Sequence, residues 1–180
     1  MRVAETERLD ARVATVEQHI RAENRHDLDG VMATFGVGAR YDDEPWDDHR
    51  HGYDGVRSYY TELMHALPDL AIEVNRRHVS SDGIVVEVAI RGTHLGSWRG
   101  LPPTGRRLDF PLCGVYTFDA DDRLAGERIY YDRATVLRQL GIFREPSFGL
   151  GRIMTALAHP VTIARAYVSI TRSRGAAPRK

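Results

Sequence analysis

The stretch from Tyr41 to Gly52 carries the densest group of ionisable side chains in the sequence. Four aspartates, one glutamate and two histidines lie within it. Carboxylates and imidazoles serve as general acids or bases when their pKa lies near the working pH, so the stretch is a candidate for proton transfer. A solvated acidic loop is the alternative interpretation, because ionised carboxylates normally stay in contact with water.

Composition restricts the chemistry that the chain can support. Its 180 residues include 25 basic and 25 acidic side chains, so no net positive charge favours nucleic acid. The single cysteine, Cys113, excludes an intramolecular disulfide and a cysteine-rich metal site. The N-terminal residues are charged and contain no long apolar run, which predicts neither a signal peptide nor a membrane span. We therefore expect a cytoplasmic protein.

Two long strands and a closing helix are predicted in the C-terminal half of the chain. Residues 108–118 place apolar side chains on one face by alternation, and residues 124–131 resume this pattern after a turn at 119–122. The pattern predicts an antiparallel hairpin. Asp132 is expected to cap a helix whose apolar stripe ends at Gly141.

The upstream sequence predicts the elements that must position the ionisable side chains. Apolar residues at helical spacing predict helices at residues 5–24, 28–35 and 56–67. A short strand leads into the ionisable stretch, and alternation predicts further strands at residues 70–79 and 84–91. This order of elements predicts an α+β fold in which helices cover one face of a sheet.

The segment before the last two strands resembles the SnoaL-like polyketide cyclases. These proteins carry a G-x-H-x-G…G-x-P-P-T-x-R-R motif there and close with an L-R-Q-L-G helix. The matching residues are Gly92, His94, Gly96, Gly100, Pro102 to Thr104, Arg106, Arg107 and Leu137 to Gly141. The last strands are also similar to those of limonene-type epoxide hydrolases and ketosteroid isomerases.

The resemblance implies the fold of nuclear transport factor 2 and of cystatin-like proteins. In this fold a cone-shaped, curved and mostly antiparallel sheet packs on N-terminal helices and encloses one deep pocket. The families imply a hydrophobic small-molecule ligand, no metal, no cofactor and a homodimer. We therefore expect residues 1–143 to form a SnoaL-like pocket domain.

Residues 144–180 are expected to form a C-terminal helical extension with a basic tail. Apolar residues at helical spacing alternate there with arginines. Such a segment can pack on its own domain or a dimer partner, cover the pocket mouth, or contact a membrane surface. We rank these roles in that order.

Matching the chain to these families residue by residue shows that one catalytic centre is lost. The essential last-strand aspartate of the cyclases and epoxide hydrolases corresponds to Ile129, which can neither donate nor accept a proton. The helper glutamine and histidine of the cyclases correspond to Leu112 and Gly114. The usual acid of both families is therefore absent.

The other end of the expected pocket keeps groups that can transfer protons. The catalytic base of the isomerases corresponds to Asp43, or to Glu44 if Pro45 is aligned instead. Their oxyanion-hole tyrosine corresponds to His19, which can donate a hydrogen bond to a developing enolate. The alternatives are an exposed acidic loop for the two carboxylates and a helix-edge histidine for His19.

Ten residues are expected to line the pocket and contact substrate. They are Tyr41, Trp46, His94, Trp98, Leu112, Gly114, Tyr116, Glu127, Ile129 and Tyr131. The aromatic residues can instead be ordinary core residues, and His94 can simply bond to backbone at a strand end. Glu127 can pair with Arg91 or Arg128.

Two functions follow from these residues. The first is a cofactor-independent enzyme of isomerase or cyclase type, acting on a hydrophobic ketone, polyketide or steroid-like compound, and the carboxylates near Asp43 favour it. The second is a non-catalytic binding protein for a hydrophobic small molecule, and the isoleucine at position 129 favours it. We prefer the enzyme.

Overall fold

The computed structural model describes residues 2–143 and, beyond them, residues 153, 157, 160, 161, 164 and 165. The chain divides into two units, Met1–Ile142 and Phe143–Lys180. The extension expected at residues 144–180 lies mostly outside the described residues, so its helix and basic tail stay predictions. No helix in the described part is long and apolar enough to cross a membrane.

The described helices are α1 Arg2–Asn24, α2 Leu28–Met32, α3 Gly52–Ala66 and α4 Arg133–Gln139. All four predicted helices are present. The second is shorter than predicted because the chain turns after Met32, and Phe35 then forms a bridge to Leu124 in the sheet. Asp132 caps α4 as predicted, since its carboxylate accepts a hydrogen bond from the backbone N–H of Ala134 at 2.9 Å.

The described strands form one six-stranded sheet in the order β2-β1-β6-β5-β4-β3. Their bounds are β1 Arg40–Asp43, β2 Asp48–His51, β3 Ala71–Val79, β4 Ile84–Thr93, β5 Arg107–Phe118 and β6 Leu124–Tyr130. Neighbouring strands are antiparallel except β1 and β6, which run parallel. The curved, mostly antiparallel sheet with its helices confirms the predicted α+β fold.

The second strand corrects the prediction of an acidic loop after β1. A single 3-10 turn at Glu44–Trp46 is followed by Asp47 with a φ of 53°, and the chain then returns along β1 as β2. The side chains of β2 are all polar or charged, so no apolar alternation marked it as a strand.

One face of the sheet is buried against α1 and α3. Alternate residues of β4 and β5 point to this face, as predicted, and are buried: Ile84, Val86, Val88, Ile90, Leu108, Phe110 and Tyr116. The helices contribute Val16, Ile20, Val56 and Tyr60 to the same core. Burial of each aliphatic side chain contributes roughly 1.5–3 kcal/mol, so this face holds the sheet on the helices.

The strand register brings side chains from distant parts of the chain into two adjacent rows. Tyr41 lies opposite Glu127, which lies opposite Tyr116. Asp43 lies opposite Ile129, two residues further along β1 and β6. Because side chains alternate along a strand, all five point to the buried face.

Candidate functional site

A cavity lies between the buried sheet face and the helices, with an empty volume of about 590 Å³ including its opening to solvent. Most of its wall is aliphatic or phenylalanine: Leu63, Leu67, Leu70, Ile72, Val86, Val88, Ile90, Phe110, Leu112 and Ile129. The remaining wall residues carry polar atoms: Glu23, Tyr41, Tyr59, Trp98, Tyr116, Glu127 and Tyr131. Such a space suits a mainly apolar molecule with a few polar groups.

Glu127 is the centre of a buried group that we call the glutamate cluster, formed with His19, Tyr60 and Tyr116. The hydroxyl of Tyr60 donates to Glu127 Oε2 at 2.6 Å, and that of Tyr116 donates to Oε1 at 3.0 Å. The Nε2 atom of His19 lies 3.1 Å from Glu127 Oε2. Glu127 is therefore held by three side chains of the cluster, and neither Arg91 nor Arg128 takes that place.

The hydrogen bonds of His19 indicate its protonation state. Its Nδ1 lies 2.8 Å from the hydroxyl oxygen of Thr34, and that hydroxyl donates to the carbonyl of Val31 at 2.7 Å. Nδ1 must therefore donate to Thr34. Because the Tyr60 hydroxyl donates to Glu127, Nε2 of His19 also acts as a donor, and it lies 2.9 Å from the Tyr60 oxygen and 3.1 Å from the carboxylate. Burial opposes a charge on His19, but the neighbouring carboxyl groups raise its pKa above the ordinary value.

Glu23 lies one helical turn after His19 on α1 and was not selected from the sequence. It is 4% exposed, lines the cavity, and its Oε2 lies 3.7 Å from His19 Nε2. Burial raises the pKa of Glu23 to about 8, against the attraction of His19 and with a further contribution from Glu127. The sequence did carry a signal, because Glu23 continues the apolar stripe of Val16 and Ile20.

Asp43 is fully buried behind the cavity wall, to which its partners Tyr59 and Tyr131 contribute, and forms a second group, the aspartate cluster, with Tyr59, Arg99 and Tyr131. Its Oδ2 accepts hydrogen bonds from Tyr59 at 3.1 Å and Tyr131 at 3.3 Å, and it forms an ion pair with Arg99. Its Oδ1 has no hydrogen-bond partner among the described residues. Burial raises the pKa of Asp43 although Arg99 and the phenols act in the opposite direction.

Arg99 reaches Asp43 from a tight turn that the sequence analysis did not identify as part of the site. Trp98 and Leu101 pair across this turn, and Arg99 and Gly100 between them have φ values of 50° and 75°. Two positive φ values are typical of a two-residue hairpin turn, and glycine favours one of them. The guanidinium lies 5.0 Å from the ring centre of Trp46 and 5.6 Å from that of Trp98.

The other predicted site residues have different positions. Glu44 lies outside the cavity wall and pairs with Arg128 at 3.2 Å. Trp46 packs beside Arg99 rather than on the wall. His94, also predicted to line the pocket, is buried outside the cavity wall, and its Nδ1 lies 3.1 Å from the hydroxyl oxygen of Thr104.

Gly114, predicted to line the pocket, is not part of the cavity wall; it lies opposite Ile129 and leaves space for a neighbouring ring. A Cβ atom at this position would lie 3.2 Å from Cε2 of Tyr116 and 3.3 Å from a methyl group of Val86. The glycine therefore allows Tyr116 to lie across the sheet and reach Glu127.

The carboxylates of the β1–β2 hairpin include one group with metal-ligand spacing. Atoms of Asp42, Glu44 and His49 lie within 4.8 Å of one another. However, Arg40 lies 2.7 Å and Arg128 3.5 Å from Asp42 Oδ2. The guanidinium groups already balance these carboxylates, so we interpret the group as an ion-pair network.

Comparisons with known proteins agree with this architecture. TsrD from Streptomyces laurentii is 21% identical over 74% of this chain and 97% of that chain, with a TM-score of 0.66. The epoxide hydrolase/cyclase-like enzyme SalBIII is 21% identical over 68% and 91%, with a TM-score of 0.59. A protein with a ketosteroid isomerase-like fold from Catenulispora acidiphila is 14% identical over 72% and 93%, with a TM-score of 0.60.

At these identities the three structures establish the fold alone. No curated protein matches the sequence. The family model of the SnoaL-like polyketide cyclases matches residues 13–140, which is more than half of the chain. The protein therefore belongs to the SnoaL-like polyketide cyclase family.

Proposed function

We propose that the protein is a cofactor-independent enzyme of isomerase or cyclase type that moves a proton on a hydrophobic ketone, polyketide or steroid-like compound. The observation that carries this proposal is the buried carboxylate of Asp43 directly behind the cavity wall, where it is bonded to the wall residues Tyr59 and Tyr131. One of its oxygens is held by Tyr59, Tyr131 and Arg99, and the other has no partner among the described residues.

The position of Asp43 relative to Ile129 supports this assignment. The last-strand aspartate expected from the family is an isoleucine here, but Asp43 lies directly opposite it on the adjacent parallel strand. Neighbouring strands are about 4.8 Å apart. The Asp43 carboxylate on β1 therefore lies one strand away from the wall position that Ile129 occupies.

In the proposed reaction Asp43 Oδ1 accepts a proton from the carbon beside the carbonyl group and returns it to another carbon. The electron pair of the broken C–H bond forms an enolate. Burial raises the pKa of Asp43, and a higher pKa makes its carboxylate a stronger base. Tyr59, Tyr131 and Arg99 fix the orientation of the carboxylate through its other oxygen.

A binding protein without catalysis is the second candidate. The ion pair between Asp43 and Arg99 favours it, because a carboxylate that only neutralises a buried cation needs no substrate. The apolar cavity would then select a ligand by size and shape. The two candidates differ in whether a bound ketone exchanges its protons.

Deuterium exchange into 2-acetylnaphthalene, an enolisable aromatic ketone, tests the proposal by mass spectrometry. We expect Asp43→Asn to slow exchange by roughly 100- to 10,000-fold while the affinity for the ketone changes little. Glu44→Gln is the matched control and should exchange at the wild-type rate, because Glu44 pairs with Arg128 outside the cavity. Equal exchange by Asp43→Asn and wild type would exclude Asp43 as the base, and tight binding without any exchange would favour the binding protein.

A further inference from the structure

Glu23 is a buried carboxyl group on the cavity wall that the proposed proton transfer from carbon does not use. The ionisable groups around it are His19 on α1, Tyr60 on α3, Tyr116 on β5 and Glu127 on β6. Two glutamates thus approach one histidine, at 3.7 Å for Glu23 and 3.1 Å for Glu127. A net charge is costly to bury, so the protonation states of the two glutamates and the histidine must nearly cancel one another's charge.

The hydrogen bonds indicate where the protons of this group lie. Glu127 accepts from two phenols and from His19, as an ionised carboxylate does. His19 donates through both nitrogens and carries a positive charge that balances Glu127. Glu23 is the remaining acid, and a proton on it makes the group of three neutral.

Glu23 forms no hydrogen bond with His19 or Glu127 among the described residues. The contact with His19 is longer than a hydrogen bond at 3.7 Å, and Nε2 of His19 is itself a donor. By contrast, the hydroxyl groups of Tyr59, Tyr116 and Tyr131 on the same wall donate to Asp43 or Glu127. The acid proton of Glu23 is therefore free to bond with a molecule in the cavity.

We propose that Glu23 is a catalytic acid that donates its proton to the carbonyl oxygen of the bound ketone. The carbonyl oxygen then lies at the α1 side of the cavity, against Glu23, and the hydrocarbon body lies along the aliphatic wall. This role rests on the proposed function. It also requires a substrate with an oxygen atom at this end that can accept the hydrogen bond of Glu23.

The proposed reaction transfers one proton to Asp43 and one proton from Glu23. As Asp43 removes the proton from carbon, the electrons move through the new carbon–carbon double bond to oxygen, and oxygen takes the proton of Glu23 to give an enol. Glu23 becomes a carboxylate beside the imidazolium of His19. In the second half Glu23 recovers its proton from the enol while Asp43 returns the other proton to carbon.

Carbon-13 NMR of 2-acetylnaphthalene labelled at the carbonyl carbon tests the position of Glu23. We expect the carbonyl signal to move downfield on binding at about pH 6, as a hydrogen bond to an acid requires. The affinity should fall as the pH rises through about 8, where Glu23 loses its proton. The hydrocarbon 2-isopropenylnaphthalene, which lacks the oxygen, should show no such loss.

Two variants separate hydrogen bonding from proton transfer. Glu23→Leu should abolish the downfield movement and weaken ketone binding by roughly tenfold. Glu23→Gln keeps an N–H donor, so it should bind the ketone without the pH dependence and exchange deuterium roughly 100-fold more slowly. Glu17→Gln, a change at a half-buried position on the same helix that faces away from the cavity wall, is the control and should behave as wild type.

Three results would overturn the role of Glu23. The first is a carbonyl signal in Glu23→Leu that moves downfield as far as in wild type. The second is an affinity that depends equally on pH for the ketone and the hydrocarbon, and the third is a failure of both probes to bind. The proposed function fails separately, when Asp43→Asn keeps full exchange or when a ketone that shows the Glu23 hydrogen bond never exchanges. If Asp43→Asn stops exchange while Glu23→Leu leaves the carbonyl signal in place, only the role of Glu23 is lost.

Discussion

Glu23 makes the free energy of unfolding depend on pH. In the folded protein its pKa is raised to about 8, whereas the ordinary value is 4.5. Between these two pH values the folded state binds more protons at Glu23 than the unfolded state does. The free energy of unfolding therefore falls as the pH rises, by up to about 1.4 kcal/mol per pH unit.

Glu23→Gln removes this dependence and tests the burial of the carboxyl group without any ligand. We expect the variant to become steadily more stable relative to wild type as the pH is raised from about 5 to about 8. Urea unfolding across this range measures the difference. His19 also loses stabilisation with rising pH, and because Glu23 contributes to its raised pKa, the variant reduces this dependence in the same direction. A difference in stability that is the same at every pH would contradict the burial of an acid at this position.

Residues of the site differ in how far the sequence could predict them. Asp43 was predicted from its family position, and Tyr116 and Glu127 were predicted from strand alternation. Tyr59 and Arg99 were missed, since each acts through a contact with Asp43 that joins two distant elements. Such contacts depend on the register and the turn geometry, which no single segment of sequence specifies.

The turn between Trp98 and Leu101 places the positive charge of Arg99 next to Asp43. Its two positive φ values aim Arg99 back over the tryptophans and into the aspartate cluster. The guanidinium lowers the pKa of Asp43, against the larger effect of burial, which raises it. The turn therefore keeps the proposed base ionised at a lower pH than burial alone would allow.

Arg99→Met keeps much of the side-chain volume and removes the cation. We expect the pKa of Asp43 to rise further, because burial then acts with less opposition. The rate of deuterium exchange rises with pH as the base ionises, and in the variant this rise should occur at higher pH. At high pH, where the base is ionised in both proteins, the variant should exchange at a rate close to that of wild type. Arg107→Met, at an exposed position on β5, serves as the control. An unchanged pH profile would show that Arg99 does not act on the base.

The elements themselves were largely predictable, and the exceptions have physical reasons. The strands β4 and β5 alternate cleanly because one face is buried and the other is not. The strand β2 carries only charged and polar side chains and is held by pairing with β1, so periodicity could not reveal it. The shortened end of α2 likewise depends on the bridge from Phe35 to the sheet.

The outer face of the sheet, opposite the helices, is a predicted dimer surface. Cys113 and Val115 are half-buried there, and Tyr130 is 44% exposed. Two copies of the same face suit an isologous dimer. We expect light scattering to give a dimer at micromolar concentration and Tyr130→Glu to shift it towards monomer. Wild-type protein that stays monomeric at high micromolar concentration would exclude this surface.

The pocket unit is expected to fold without the extension. Among the residues that the structure describes, the buried core, both carboxylate clusters and the cavity wall all lie within Met1–Ile142. A chain ending at residue 143 should therefore keep a midpoint of thermal unfolding within a few degrees of the full chain, because it loses none of this burial.

The affinity of the shortened chain for 2-acetylnaphthalene then separates the predicted roles of residues 144–180. If the extension packs away from the pocket, titration should give the same dissociation constant for both chains. A clear change in affinity at equal thermal stability would instead indicate a lid over the cavity mouth. A shortened chain that fails to unfold cooperatively would contradict the pocket unit as an independent domain, since its core would then need contacts from the extension.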